Sequence, residues 1–145
     1  MIGFLFSVLA GMAMSVQGVV NTRLGDKIGL YEANLYVQGS AFLLSVVAFF
    51  ILGNGNFGAI FQAEKVYMIG GVLGIAITLT VMLGISHLSP TIAISAILIS
   101  QLLVAALIDA FGLLGAEKVP FDWRKYVGMA CMVAGVILFK WNKSA

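Results

Sequence analysis

The sequence predicts an all-α membrane protein of five transmembrane helices, and three observations carry that prediction. Hydrophobic residues make up 61% of the chain and charged residues only 10%, with a mean hydropathy of +1.09. A soluble domain carries roughly a quarter charged residues because its surface must be wet. The apolar residues fall into five stretches of about the twenty residues that a helix needs to cross a hydrocarbon core of about 30 Å. Both prolines and most of the charges fall between those stretches. A chain of 145 residues has room for one domain, so residues 1–145 read as a single transmembrane domain.

The first predicted helix covers residues 2–21. No basic residue precedes its apolar stretch, which is longer than a signal-peptide core, so it reads as a retained helix. Arg23-Leu24-Gly25-Asp26-Lys27-Ile28-Gly29 reads as the first loop. The second helix covers 31–52 and is followed by Gly53-Asn54-Gly55-Asn56-Phe57-Gly58, a loop that closes at Glu64 and Lys65. The third covers 66–86 and the fourth 91–113, with His87-Leu88-Ser89-Pro90 between them. Pro90 lacks a backbone donor and suits a first helical turn. The fifth covers 123–141, after a loop containing Pro120. Backbone groups in lipid must pair within their own segment, which makes each stretch a helix and not an open strand. Tyr67, Trp123, Tyr126 and Trp141 fall at predicted interfaces, as aromatic belts do.

The fourth stretch carries Asp109, which costs about 3 kcal/mol at a bilayer centre. Eleven Leu, Ile, Val and Phe residues between Thr91 and Phe111 oppose it, each worth about −0.3 to −0.6 kcal/mol there. Asp109 also lies near the end of the span, where the penalty falls, so the helix inserts.

Several function classes are excluded. A net charge of +2, scattered along the chain, offers no nucleic-acid surface. The lone cysteine, Cys131, can form no intrachain disulfide, and with one histidine it cannot build a structural zinc site. No metal or other cofactor is expected. No paired buried aspartates, no Ser/His constellation within the spans and no phosphate-binding glycine loop followed by Lys are present, so an enzyme is not expected.

Five helices put the termini on opposite sides of the membrane. Lys65, Lys118, Arg124 and Lys125 then face the side of the N-terminus, and Arg23, Lys27, Lys140 and Lys143 the other, four against four. Orientation follows the Lys/Arg bias of short loops, and here that bias is zero. The balance can arise by chance in a small protein. It is also what a chain that inserts both ways would show, and transporters commonly need two inverted halves around a midplane site. The expected assembly is therefore an antiparallel homodimer of ten helices, or a pair with a related five-helix partner.

Polar and small residues inside the spans supply the candidate site. On the first helix Ser7, Gly11, Met14, Gly18 and Asn21 share one face, with Gln17 at its edge. Gly11 and Gly18 suit close helix packing, whereas Gln17 and Asn21 fit either an interhelical hydrogen bond or substrate contact. Gly70 and Gly74 form a small-xxx-small pair on the third helix and read as packing residues. On the fourth, Thr91, Ser95, Gln101 and Asp109 share one broad face. An unpaired amide near the midplane is costly, so Gln101 is expected away from lipid. Asp109 has two readings: an interfacial carboxylate paired with Lys118 or a helix end, and a cation or proton site. Glu32 opens the second helix, where a carboxylate is stabilised by the helix dipole; ion coupling is its other reading. The fifth helix carries no strong polar group inside it and reads as a support.

The segments Gln17-Gly-Val-Val-Asn-Thr-Arg-Leu-Gly25 and Ser100-Gln-Leu-Leu-Val-Ala-Ala-Leu-Ile-Asp-Ala-Phe-Gly-Leu-Leu-Gly115 resemble those of YdcZ-like proteins, a five-helix branch of the drug/metabolite transporter superfamily. Arg124, Gly128, Met132, Gly135 and Val136 fit the last helix of that family, so the resemblance covers nearly the whole chain. It implies a small-molecule exporter of the bacterial inner membrane, assembled as a dimer equivalent to one ten-helix member. Gln17, Asn21, Gln101 and Asp109 match its recurring polar positions. The small multidrug resistance proteins, by analogy, suggest an antiparallel dimer, but the acidic residue of their first helix has no counterpart here. The expected function is export of a small amphipathic or cationic compound by alternating access. A dual-topology channel and an accessory subunit without flux are the alternatives.

Overall fold

The structure is a computed structural model that describes residues 1–119 and 122–141. Pro120, in the predicted last loop, and Lys143, in the charge balance, lie outside the described residues. The described chain is helical, with five α-helices: α1 (Ile2–Ile28), α2 (Leu30–Leu52), α3 (Gly70–His87), α4 (Pro90–Phe111) and α5 (Trp123–Trp141). Short 3₁₀ segments, Phe57–Gln62, Lys65–Ile69 and Leu113–Gly115, flank α3 and follow α4. The helices form two compact units, residues 1–87 and residues 88–145.

In the first unit α1, α2 and α3 pack against one another. The predicted loop at 23–29 is not a loop. Arg23 to Ile28 continue α1 as helix, and Gly29 alone separates it from α2. No proline interrupts this stretch, and Arg23 and Asp26 pair across one turn at 3.5 Å. Gly29 has φ 104° and ψ 150°, a backbone region reserved for glycine. Its N–H donates to the Gly25 carbonyl at 2.9 Å, closing α1. Its own carbonyl accepts from the Ala33 N–H at 3.0 Å, opening α2. One residue thus serves as the C-cap of one helix and the N-cap of the next.

The core of this unit is small. Ala33, Met82 and Ile85 are its buried apolar residues among those described, and most large side chains face outward. Helix α1 meets α3 through two glycines seven residues apart. A Cβ added at Gly18 would lie 2.9 Å from Ile85 Cδ1 and 3.1 Å from Val81 Cγ1. One at Gly25 would lie 2.8 Å from Met82 Cε and 3.9 Å from Ala33 Cβ. Glycine inside a helix costs about 1 kcal/mol relative to alanine, and here it permits a contact that dispersion rewards. Gly11 and Gly70, by contrast, have open space where a Cβ would be, and at Gly74 the nearest outside atom is Gln38 Nε2 at 4.0 Å.

The second unit is the α4–α5 hairpin. Pro90 begins α4, as its missing donor requires, and the Ser89 carbonyl accepts from Ala93 N–H at 3.0 Å. Gly112, in the left-handed region at φ 64°, ends α4. The predicted fourth helix, 91–113, therefore stops two residues earlier, because a left-handed residue cannot continue the ladder.

Among the described residues four helical segments are long and apolar enough to cross a membrane: Ile2–Ile28, Leu30–Leu52, Lys65–His87 and Pro90–Phe111. Helix α5 has the predicted bounds but a shorter apolar run, because Arg124 and Lys125 lie in its first turn and Lys140 in its last. Hydroxyls inside the spans largely bond within their own helix, as Ser7 to Gly3 at 3.0 Å, Thr22 to Gly18 at 2.7 Å and Ser45 to Ala41 at 2.8 Å. These hydroxyls thereby sit in a span without leaving a donor to lipid.

Replacing Gly29 by alanine forces a Cβ into the Glu32 carboxylate and a side chain into a glycine-only conformation. A loss of about 1–3 kcal/mol is expected. It should be read as a lower unfolding midpoint of the detergent-solubilised protein. Gly55→Ala, at a position with open space, should leave the midpoint unchanged.

Candidate functional site

The predicted site residues divide between the two units. Gln17, Asn21 and Glu32 belong to the first; Ser95, Gln101 and Asp109 belong to the second. Gln17 and Gln101 are exposed, and neither amide makes a side-chain hydrogen bond among the described residues. Asn21 is buried, one turn from Gly18 and one from Gly25, between the two closest approaches of α1 to α3. Ser95 gives its hydroxyl proton to the Thr91 carbonyl at 2.7 Å. Its donor is committed, and only acceptor capacity remains. The Glu32 carboxylate lies back over Gly29 at the start of α2, where the helix dipole favours it.

Buried polar residues in the first unit gather where α1 and α2 pack. Asn21, Thr22 and Asn34 are each at least nine-tenths buried. Asn34 Oδ1 has no hydrogen-bond partner. One turn further along α2, Gln38 Nε2 donates to Thr78 Oγ1 of α3 at 3.2 Å, and Thr78 donates in turn to Gly74 O at 2.9 Å. This short relay joins α2 to α3 through polar groups that satisfy one another. Nothing in the sequence marks Asn34 or Gln38 as a site residue; Asn34 is buried beside Ala33, which is fully buried.

Asp109 occupies a different setting. It is half-buried in the last turn of α4, and its backbone carbonyl accepts from Val119 N–H at 2.9 Å, so the chain folds back over the helix end. The Lys118 pairing considered from sequence is not made: no ion pair joins Lys118 to Asp109 among the described residues. The turn through Gly112 instead brings Lys118 Cβ close to the Gly112 position, 3.5 Å from where a glycine Cβ would stand. A carboxylate in the last turn of a helix sits at the negative end of the dipole, so local helix stability does not account for it.

Asp109 and Lys125 line a cavity of about 510 Å³ together with Leu102, Ala105, Met129 and Met132. The volume lies within the range of small-molecule sites, about 300–1,000 Å³. The two charged groups come from the last turn of α4 and the first turn of α5, and Leu102 and Met132 lie two turns further into their helices. One end is therefore polar and the rest apolar, with flexible thioethers that adapt to irregular shapes. Helix α5, expected from sequence to be a support, supplies half of this wall. Gly128 and Met132, which line the cavity as well, stand out in the sequence only through the resemblance of the last helix.

The family described as "Putative inner membrane exporter, YdcZ" matches residues 2–138. The chain belongs to the YdcZ family. It is a multi-pass protein of the inner membrane, and the matched region contains all four of the long apolar segments. No curated protein and no solved structure matches the chain.

The orphan acceptor in this YdcZ-family protein is testable. Asn34→Leu keeps the branched shape and removes the unsatisfied oxygen, which carries a penalty of about 1–3 kcal/mol. The unfolding midpoint in detergent should rise or hold, and Asn34→Asp, which buries a charge, should lower it.

Proposed function

We propose that this protein exports a small amphipathic or cationic compound by alternating access, as two copies of opposite orientation. The observation that carries the reading is the α4–α5 cavity, which combines Asp109 and Lys125 at one end with an apolar wall. A carboxylate that the helix end does not stabilise has most to gain from a cation that arrives with the substrate. The substrate's apolar part would lie against Leu102, Met129 and Met132. Membership of an exporter family supports the direction of transport, and the chemistry needed is binding and release, with no catalytic constellation.

In this reading α5 completes five spans. Its 19 residues rise about 28 Å at 1.5 Å per residue, close to the hydrocarbon thickness of about 30 Å. Trp123 and Trp141 would sit at the two interfaces, with Arg124 and Lys125 reaching to the headgroups. Five spans then place the termini on opposite sides, and the four-against-four balance of cations leaves either orientation open. Gln17 and Gln101 support an assembly, because exposed amides deep inside spans are costly against lipid and gain from cover by another polar surface. Inverting a copy brings the same residues to the midplane from both sides, as alternating access requires. Gln17, Asn21, Ser95, Gln101 and Asp109 would be the polar contacts of the pathway.

Two measurements test this. Asp109→Asn should abolish flux of a lipophilic cation into inverted vesicles while leaving the dimer intact by crosslinking; unchanged flux removes Asp109 from the mechanism. For topology, Ser144→Cys in a Cys131→Ala background should react with an impermeant thiol reagent in about half of the molecules in intact cells, as unbiased insertion requires. Complete or absent labelling would mean one orientation and end the inverted-homodimer reading.

A further inference from the structure

The connection between α2 and α3 carries an interaction surface independent of the cavity. From Ala33 to Ala63 the chain has no charged residue, a run of 31 residues. A span needs about twenty, and α2 ends at Leu52. Eleven uncharged residues, Gly53 to Ala63, are therefore left over before Glu64 and Lys65. They do not form an open polar loop. Phe57–Gln62 is a 3₁₀ segment whose start is capped by Asn56, which accepts the Gly58 N–H on its side-chain oxygen at 3.0 Å. Ala59 N–H donates to Asn56 O at 3.1 Å, and Ala63 N–H to Ile60 O at 3.2 Å.

The aromatic rings of this segment point outward. Phe57 is 71% exposed and Phe61 91%, values that water would penalise. Phe57 also makes an edge contact with Phe49 of α2 at 5.9 Å between centroids, and Phe49 meets Phe50 at 5.4 Å. Phe50, Ile51 and Leu52, the last residues of this membrane-spanning helix, are likewise exposed. The apolar surface of the segment is thus continuous with the lipid-facing end of α2.

We propose that Phe57–Gln62 is an interfacial element that lies along the bilayer surface and inserts Phe57 and Phe61 among the lipid acyl chains. The occupant of this surface is lipid. Internally bonded amides lower the cost of leaving water, the absence of charge removes the need for it, and the rings supply the driving force. Glu64 and Lys65 mark the return to the aqueous edge before the third membrane segment begins. Because the anchor is apolar and uncharged, it holds the α2–α3 connection equally well on either face of a membrane. A basic anchor would bias orientation.

Depth measurement in liposomes tests the assignment on the full-length chain. Nitroxides are attached to Phe57→Cys, Phe61→Cys and, as an aqueous reference, Glu64→Cys, each in a Cys131→Ala background. Collision with oxygen and with a water-soluble nickel chelate is then compared. The labels at 57 and 61 should favour oxygen and lie about 5–10 Å below the headgroup surface, with the label at 64 favouring nickel. Nickel access at 57 and 61 equal to that at 64 overturns the proposal. Access to neither reagent also overturns it, since protein would then cover the rings. Should the cysteine variants insert poorly, Phe61→Trp in a Trp123→Phe, Trp141→Phe background keeps a large aromatic ring at the position. Its fluorescence should be quenched by lipids brominated on their acyl chains; quenching by aqueous iodide alone would exclude lipid.

Discussion

Close approach of α1 to α3 at Gly18 and Gly25 is the contact on which the first unit depends. In lipid no hydrophobic force drives helices together, because the solvent is as apolar as leucine. What remains is dispersion between surfaces that fit, and dispersion falls off within an ångström. Two glycines seven residues apart on one face of α1 let Val81, Met82 and Ile85 come within that range. Asn21 and Thr22 are buried because they stand between those two points. Thr22 is satisfied by its own helix, whereas Asn34, brought in beside Ala33, has an oxygen with no donor.

The second unit follows a different rule. Its α4–α5 hairpin has Ala93 as its buried apolar residue among those described, and its residues leave a cavity of about 510 Å³. Alanines at 105 and 106 and a glycine at 128 provide the room. Methionines at 129 and 132 keep its wall deformable. The charges stand at the helix ends, so one cavity is wet at one end and apolar at the other. The first unit thus rests on glycine contacts, whereas small side chains in the second leave a cavity.

Membrane embedding explains what would otherwise look like a poorly packed protein. Large apolar side chains point outward along every helix, as they must where the surroundings are acyl chains. Hydroxyls fold back onto carbonyls four residues earlier, and the 3₁₀ turns of the α2–α3 connection pair the amides of Ala59, Ala63 and Tyr67. In each case the governing constraint is the same: a donor without a partner is costly where there is no water.

The sequence by itself determined four long apolar segments able to cross a membrane, since length and hydropathy are properties of a linear stretch and need no knowledge of neighbours. It located α2 and α5 to within a residue, placed Pro90 at a helix start, and marked the polar positions on each face. Its errors had local causes. Arg23 to Ile28 read as a loop because charge and glycine usually mean one, yet they continue α1, where Gly25 lies close against Met82. Family membership was legible too, in the Gln-Leu and Asp-Ala-Phe-Gly segments around Gln101 and Asp109. Only the tertiary structure decided which glycines are contacts: Gly18 and Gly25 touch α3, and Gly11 faces open space in the same helix. It also decided that α5 lines a cavity with Asp109, and that Asn34 is buried without a donor. These depend on how far apart two helices lie, a distance that the fit of side chains on both sets and that neither helix carries in its own sequence.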